Sequence, residues 1–414
     1  MDAVDFITED RCLRPTLRIA LVTETWAPEV NGVAMTLGRM VDGLIARGHR
    51  VQLVRPRQTN SEQATESSAS SAFSEVLAHG LKIPRYEGLR FGLPARARLV
   101  RLWSRQRPDL VHVATEGPLG WSAVSAARKL GLPVTSDFHT QFDHYSQHYG
   151  LAWLEQPVAA WLKRLHNRTA LTLVPTRELA DALRARGYRN VEVIARGVDT
   201  RLFSPARRCE ALRASWGVRP RDPVLLSVGR LAPEKNLPLL LRTHEAVRKL
   251  HPEARLVVVG DGPMRQALQH AHPEVLFAGV RTGEELARHY ASADLFLFPS
   301  LSETFGNVTL EAMASGLCVL AFEYAAAAEV ITSCTDGLTV PPSDAQAFIE
   351  QAEQLTGDAP RRRMLGIAAR LRSEALDWDR INDHFACALT RIVAQHAQQP
   401  AGDCPHAPLT RVAR

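Results

Sequence analysis

Two glutamates in an E-x7-E arrangement carry the sharpest chemistry in this sequence. The stretch Ser302-Glu303-Thr304-Phe305-Gly306-Asn307-Val308-Thr309-Leu310-Glu311-Ala312-Met313-Ala314-Ser315-Gly316 follows an apolar run, Leu295–Phe298, and Pro299. Gly306 suits a tight turn or a close backbone approach where a helix begins. Unpaired N–H groups from Gly306 to Val308 would then point past the carboxyl edge of a sheet. There the positive end of the helix dipole makes a seat for phosphate oxygens. Glu303 stands in the loop before the helix and Glu311 about one turn inside it. Glu311 suits a pair of sugar hydroxyls such as those of a ribose, and Glu303 would reach farther along the same ligand. Taken in isolation, the two glutamates would read more readily as solvated helix-end charges, Glu303 merely complementing the helix dipole.

Cations stand upstream of them. In Ser227-Val228-Gly229-Arg230-Leu231-Ala232-Pro233-Glu234-Lys235-Asn236, Arg230 and Lys235 fall just past one strand and at the start of the next helix. A guanidinium and an ammonium in that position suit a pyrophosphate, the guanidinium in bidentate fashion. Two exposed loop cations are the plainer reading. The run Val257–Pro263 closes another strand with a glycine-flanked turn. It lacks G-x-G-x-x-G spacing, which argues against a dehydrogenase. In the N-terminal half, Thr25–Val33 contains Gly32, and Ser136-Asp137-Phe138-His139-Thr140 places His139 on a loop after a strand. His144 and His148 lie nearby and could face an acceptor or solvent. No D-x-D stands in a useful place, and no Cys/His spacing suits zinc.

The elements that must position these residues alternate: short apolar β-branched runs, then helical patterns, as in βα units building parallel sheets. Strands are expected at Leu17–Thr23, Val51–Val54, Leu110–Val113, Val134–Ser136, Leu171–Val174 and Val191–Ile194. A second series follows at Val224–Val228, Arg255–Val259, Val275–Phe277, Leu295–Phe298, Cys318–Ala321 and Leu338–Val340. Leu37, Met40, Val41 and Leu44 line one helical face, which Gly48 stops. Residues 196–222, rich in Pro and Arg, read as a linker. The expected organisation is an N-terminal domain over 1–200, a C-terminal domain over 201–375, a helix 376–397 packing back on the first, and a flexible tail 398–414. The polar tract 58–74 reads as a mobile surface loop. This is an α/β protein with two doubly wound, Rossmann-like halves, and a ligand belongs in the cleft at the carboxyl ends of both sheets.

Composition sets the remaining bounds. A chain of 414 residues with 45% hydrophobic and 23% charged residues supports two globular cores. A net charge of +6 leans towards nucleotide diphosphates, anionic lipid headgroups or nucleic acid. No zinc module, RNP-like stretch or basic block favours nucleic acid. Six cysteines, scattered singly, fit a reduced cytoplasmic compartment. No apolar run reaches the ~18–20 residues of a membrane span, so any membrane contact is expected to be peripheral. One stretch could make it: Arg85, Arg90, Arg96, Arg98, Arg101, Arg105 and Arg107 interleave with Tyr86, Phe91, Leu93, Leu99, Leu102 and Trp103. A solvated helix with an apolar core face has the same pattern.

In combination these motifs resemble family 4 glycosyltransferases of the GT-B class, as in bacterial mannosyl- and glycolipid transferases. The resemblance rests on GR-x4-KN, VVVGDGP, FAGV, ADLFLFPS, SETFGNVTLEAMASG and DGLTVPP in that order, and spans roughly residues 17–395. It implies a retaining hexosyltransferase that needs no metal, because cations replace it. Arg230 and Lys235 would grip the donor diphosphate, Glu311 the ribose and Glu303 the donor sugar. The backbone of Phe305, Gly306, Asn307 and Val308 would cap the phosphates, and the base would stack near Gly279, Val280 and Arg281. Gly32 would approach the diphosphate from the opposite side, and His139 would face the reacting sugar. The implied donor is GDP-mannose or a UDP-sugar. The implied acceptor is a membrane glycolipid precursor such as diacylglycerol or a phospholipid, met at the inner face of the cytoplasmic membrane. A soluble or polysaccharide acceptor, or a nucleotide-sugar epimerase on the same scaffold, is the alternative.

Overall fold

The computed structural model describes residues 15–29, 32–58, 62, 72–82, 90–138, 155–303, 305–342 and 344–398. The first half supplies strands β1 (Arg18–Val22), β2 (Arg50–Pro56), β3 (Phe73–Ala78), β4 (Gly80–Lys82), β5 (Arg90–Gly92), β6 (Leu110–Val113), β7 (Val134–Asp137), β8 (Leu171–Val174) and β9 (Val191–Val193). Seven of these form a parallel sheet in the order β3-β2-β1-β6-β7-β8-β9, while β4 and β5 pair as a short antiparallel ribbon. The second half supplies β10 (Val224–Val228), β11 (Arg255–Val259), β12 (Leu276–Gly279), β13 (Leu295–Phe298), β14 (Cys318–Phe322) and β15 (Leu338–Val340). They make a parallel sheet ordered β12-β11-β10-β13-β14-β15. In each sheet the order reverses beside the first strand, and a crevice opens there outside the carboxyl ends.

The continuous apolar runs follow from burial on both faces. Side chains alternate across a strand, so β1 sends Ile19 and Leu21 into one layer with Leu37, Met40 and Leu44. Its Ala20 and Val22 enter the other layer with Trp103, Leu119 and Ala123. Likewise β10 places Leu226 and Val228 beside Phe296 and Met313, and Leu225 beside Leu240 and Phe348. Each fully buried Leu or Val contributes about 1.5–3 kcal/mol by leaving water. The helix Trp378–Gln398 sets Ile381, Phe385, Leu389 and Ile392 against the helix Gly32–Ala46 of the N-terminal half.

Two local expectations need correcting. Residues 196–222 are not a loose linker: Val198, Phe203, Trp216 and Val218 are buried in the C-terminal core. Arg213, 1% exposed, donates to the Ser292 and Asp222 carbonyls and pairs with Asp294 at 3.0 Å. Its charge belongs to a buried tether rather than to a solvated connection. The polar tract ends in an unforeseen strand, β3, which lies at the sheet edge and is only half-buried, so its sequence carries little apolar signal. Residues 59–61 and 63–71 of that tract, and residues 399–414 of the expected tail, lie outside the described residues. Of the two readings of the basic amphipathic stretch, the helix Arg96–Arg105 follows the one with an apolar core face: Leu99 and Trp103 are buried in the core while Arg96, Arg98, Arg101 and Arg105 are exposed; Arg90 and Phe91 lie in β5, and Arg85 and Tyr86 lie outside the described residues. The apolar face of this helix is already occupied. Among the described residues, no helix is long and apolar enough to cross a membrane.

Candidate active site

The site grows from the carboxyl end of β13. After Pro299 and a short loop, Gly306 takes a left-handed conformation, φ 94°, as N-cap of the helix Asn307–Ala314. An L-residue with a side chain adopts that conformation only at a cost. Gly306 offers no side chain to cap this terminus, and the first turn of the helix carries no acid. The positive end of the helix therefore stands without a protein anion in its own turn. The Phe305 carbonyl accepts from Ala326 N at 2.8 Å, and the Phe305 ring is buried, which anchors the loop from behind.

Glu303 is held at this helix start. One of its oxygens accepts from Ser300 Oγ at 2.7 Å and from the Lys235 ammonium. Lys235 Nζ also lies 5.7 Å from the centre of the Phe298 ring. Two residues read as separate ligands of a donor thus meet as an ion pair, with both side chains under 20% exposed. Glu311 lies within the helix, where one oxygen accepts from the Tyr290 hydroxyl at 2.9 Å. Burial pushes its carboxyl up to about 7, and the tyrosine bond offsets part of that rise.

Arg230 sits on the loop after β10, its guanidinium 3.3 Å from Glu234. The turn after β11 aims this loop: Gly229 N donates to the Val259 carbonyl at 3.0 Å, and Leu231 N to that of Asp261 at 2.9 Å. A Cβ at Gly260, φ 136°, would overlap the Gly229 carbonyl oxygen. Hence the glycine-flanked turn is a backbone-to-backbone contact, not a ligand fingerprint. The Arg230 loop is in turn tied to the Glu303 loop by Leu301 N donating to the Glu234 carbonyl at 3.0 Å. Gly279 closes β12 and its carbonyl accepts from Gly260 N at 2.9 Å, so Gly279–Arg281 shares the same sheet edge. Val280 is exposed, and Arg281 pairs with Glu285 at 3.5 Å.

Across the cleft, Gly32 opens the first helix, and Asn307 Nδ2 donates to Thr36 Oγ1 at 3.4 Å. A Cβ at Gly32 would lie 4.0 Å from the same Asn307 nitrogen. The two halves therefore meet through the starts of two helices. Arg230, Lys235, Gly279–Arg281, Glu303, Phe305–Val308 and Glu311 cluster on one edge, and Gly32 faces them. His139, His144 and His148 lie outside the described residues.

Residues 30–202 match the family described as Glycosyltransferase Family 4, and residues 222–358 match Glycosyl transferases group 1. A GDP-mannose-dependent alpha-mannosyltransferase of Mycobacterium tuberculosis is 33% identical over 390 residues, covering 92% of this chain and 99% of that protein. The chain belongs to glycosyltransferase family 4. An alpha-monoglucosyldiacylglycerol synthase of Streptococcus pneumoniae is 27% identical over 319 residues, covering 74% of this chain and 71% of its own. In fold the glycosyltransferase is similar to a sucrose-phosphate synthase from Thermosynechococcus elongatus. That match has a TM-score of 0.75 at 21% identity and covers 92% of this chain and 100% of the other. The architecture is GT-B, and the epimerase alternative finds no support in these relatives.

Several polar residues of the glycosyltransferase escaped the sequence reading. Tyr290 is wholly buried and edge-packed on Phe203 at 5.6 Å, in a helical segment between β12 and β13. Its signal was a tyrosine on a buried face, which needs a partner for its hydroxyl. Glu24, at the end of β1, accepts from Leu119 N at 3.1 Å and from Gly92 N, and burial pushes its carboxyl up to about 7. It ties β5 and the start of the helix Pro118–Lys129 to the cleft edge. Behind Phe138, Asp137 lies 3.5 Å from His112 and 3.9 Å from Arg196, all three buried. Partners this distant along the chain leave no local pattern.

Proposed function

We propose that this glycosyltransferase passes a hexose from a nucleoside-diphosphate sugar to a hydroxyl of a membrane glycolipid precursor, with retention and without a metal ion. The observation that carries the reading is that Lys235, from the loop after β10, meets the loop–helix unit after β13 that carries Glu303, the helix start at Gly306 and Glu311. Arg230, Lys235 and the Gly306–Val308 N–H groups hold the diphosphate and stabilise the charge it gains on leaving, as preorganised donors do. These cations supply what a metal would otherwise supply. Lys235 then shares itself between phosphate and Glu303, which contacts the sugar. Glu311 accepts from the ribose hydroxyls, Gly279–Arg281 flanks the base, and Gly32 and His139 complete the site from the N-terminal half.

For the donor, GDP-mannose is supported by the 33% identical mannosyltransferase, which matches along 99% of its length. For the acceptor, a lipid is supported by the diacylglycerol-using relative and by the chain's positive charge. The reaction then takes place at the cytoplasmic face of the membrane. Retention follows if the leaving phosphate takes the acceptor's proton on the same face of the sugar. No enzyme nucleophile is needed for that route, so trapping a glycosyl-enzyme adduct would overturn it.

Calorimetric titration with GDP and UDP in metal-free buffer containing a chelator tests the donor assignment. Selective GDP binding is the expected result. Failure of both nucleotides to bind would overturn the site, and UDP selectivity would overturn the choice of GDP-mannose.

A further inference from the structure

The short helix Ala326–Val330 follows β14 at the carboxyl edge of the C-terminal sheet, and it touches both sides of the cleft. Its first residue meets the donor loop: Ala326 N donates to the Phe305 carbonyl at 2.8 Å, one residue before Gly306. Its acid meets the other half. One oxygen of Glu329 accepts from the backbone N–H of Arg177 at 3.0 Å, and the other lies 3.5 Å from the Arg177 guanidinium. Arg177 opens the helix Arg177–Ala185, just past β8 at the carboxyl edge of the N-terminal sheet. Thr176 caps that helix by accepting from Leu179 N at 3.3 Å. Glu329 satisfies a further N–H of the same helix start from across the cleft, where the helix dipole favours a carboxylate.

Ala325, immediately before the short helix, is buried and holds φ 51° and ψ −123°. A residue with a side chain keeps such a conformation only when its surroundings impose it, and strain of this kind gathers at functional sites. Here it directs the chain so that Ala326 bonds to Phe305 while Glu329, one turn on, bonds across the cleft. The Glu329 side chain is 20% exposed and that of Arg177 68% exposed. The charge-assisted bond to the backbone is therefore the strong part of the contact, and the solvated ion pair the weak part. The segment Phe305–Asn307 thus reaches the N-terminal half by two routes, through Asn307 to Thr36 and through Ala326 and Glu329 to Arg177. We propose that Glu329 is a positioning residue: it latches the two halves together and so sets the Phe305–Asn307 donor loop against the first helix of the N-terminal half. The inference rests on the glycosyl-transfer reading for that consequence and deepens it.

Arg177 is placed so that the latch can be cut without disturbing the helix. Proline is favoured at the first position of a helix and has no N–H, and the extended Thr176, φ −136° and ψ 154°, suits a following proline. Arg177→Pro therefore removes the donor, Glu329→Ala removes the acceptor, and Arg177→Ala removes the guanidinium alone. Cys334 in the C-terminal half and Cys387 on the helix packed against the N-terminal half are both exposed. Spin labels there report the distance between the halves once Cys12, Cys209 and Cys404 are replaced by serine. Double electron–electron resonance then gives the distance distribution of the full chain, without nucleotide and saturated with GDP. Arg177→Pro and Glu329→Ala are each expected to lower the ratio of compact to extended molecules about tenfold, the loss of one hydrogen bond to a charged group. The double variant should lose no more than either, because both cut the same bond. Arg177→Ala should stay within about twofold of the wild type, and the melting temperature of Arg177→Pro should match it. Unchanged distributions in both latch variants, or a double variant in which the two losses multiply, would overturn the proposal. An Arg177→Ala loss as large as that of Arg177→Pro would also overturn it, by assigning the effect to the surface ion pair. If the wild-type chain fails to bind GDP, the donor reading falls on that result, and the latch is judged on the chain without nucleotide.

Discussion

At the residue scale, the pair Tyr290 and Glu311 links burial to ligand affinity. A buried carboxyl pushed up to about 7 is partly protonated at neutral pH in the empty site. Ribose hydroxyls donate hydrogen bonds, so they favour the charged form. Nucleotide binding should then weaken as pH falls through 7, by about tenfold one unit below that value. The check is GDP affinity by calorimetry between pH 6 and 8 in the wild type and in Glu311→Gln, which retains the phosphate titration but not the carboxyl. An identical slope in both would refute the ribose role. Tyr290→Phe removes a bond that lowers the pKa and should shift the wild-type midpoint upward. For stability the sign is opposite. A carboxyl whose folded pKa exceeds its unfolded value stabilises most below about 4.5, and this contribution is lost as pH rises through 7. Glu303, Glu311, Arg230 and Lys235 were legible as a set because one strand end and one helix start hold them at fixed offsets. Tyr290 and Glu24 were not, because their partners come from other elements.

At the element scale, the two sheets were readable wherever strands are buried on both faces, since burial writes an unbroken apolar run. β10, β11 and β13 appear at the expected residues for that reason. The reading failed where a strand has an exposed side or few residues, as in β3, β4 and β5, and where charge is internal, as at Arg213. It also missed what the turn after β11 does. Gly260 lets two backbones touch, and through that contact the turn holds the Arg230 loop. Gly260→Ala must therefore move one of the two loops as well as strain φ 136°. We expect it to cost at least about 2–3 kcal/mol in urea unfolding, strain and overlap together, and to weaken GDP in the folded fraction. Gly217 is the control: its φ is also positive, 73°, but nothing lies within 4 Å of an added Cβ. Gly217→Ala should cost only about 1–2 kcal/mol and leave GDP affinity alone. Equal effects on GDP from both substitutions would contradict the coupling between turn and site.

For the whole molecule, the two halves touch through Asn307 and Thr36 at the cleft and through Arg177 and Glu329, 3.5 Å apart, beside it. The chain passes between the halves twice, side by side, where Val198 bridges to Asp377. On the function proposed above, such a two-lobed transferase would bring a soluble donor and a lipid acceptor to one cleft, and its surface bears on how. The helix Arg96–Arg105 spends Leu99 and Trp103 on the core and leaves its arginines outside. It can be attracted to an anionic membrane surface but has no free apolar face to insert. Attraction of this kind is worth about 1 kcal/mol per Lys or Arg near the surface and is screened over about 10 Å at 0.1 M salt. Binding to phosphatidylglycerol vesicles in co-sedimentation should therefore fall steeply between low and physiological salt. The double change Arg98→Glu and Arg101→Glu should reduce it at least about 30-fold, with turnover on detergent-dispersed acceptor unchanged. Salt-independent binding would mean that the helix leaves the core and inserts, and that this domain opens at the membrane.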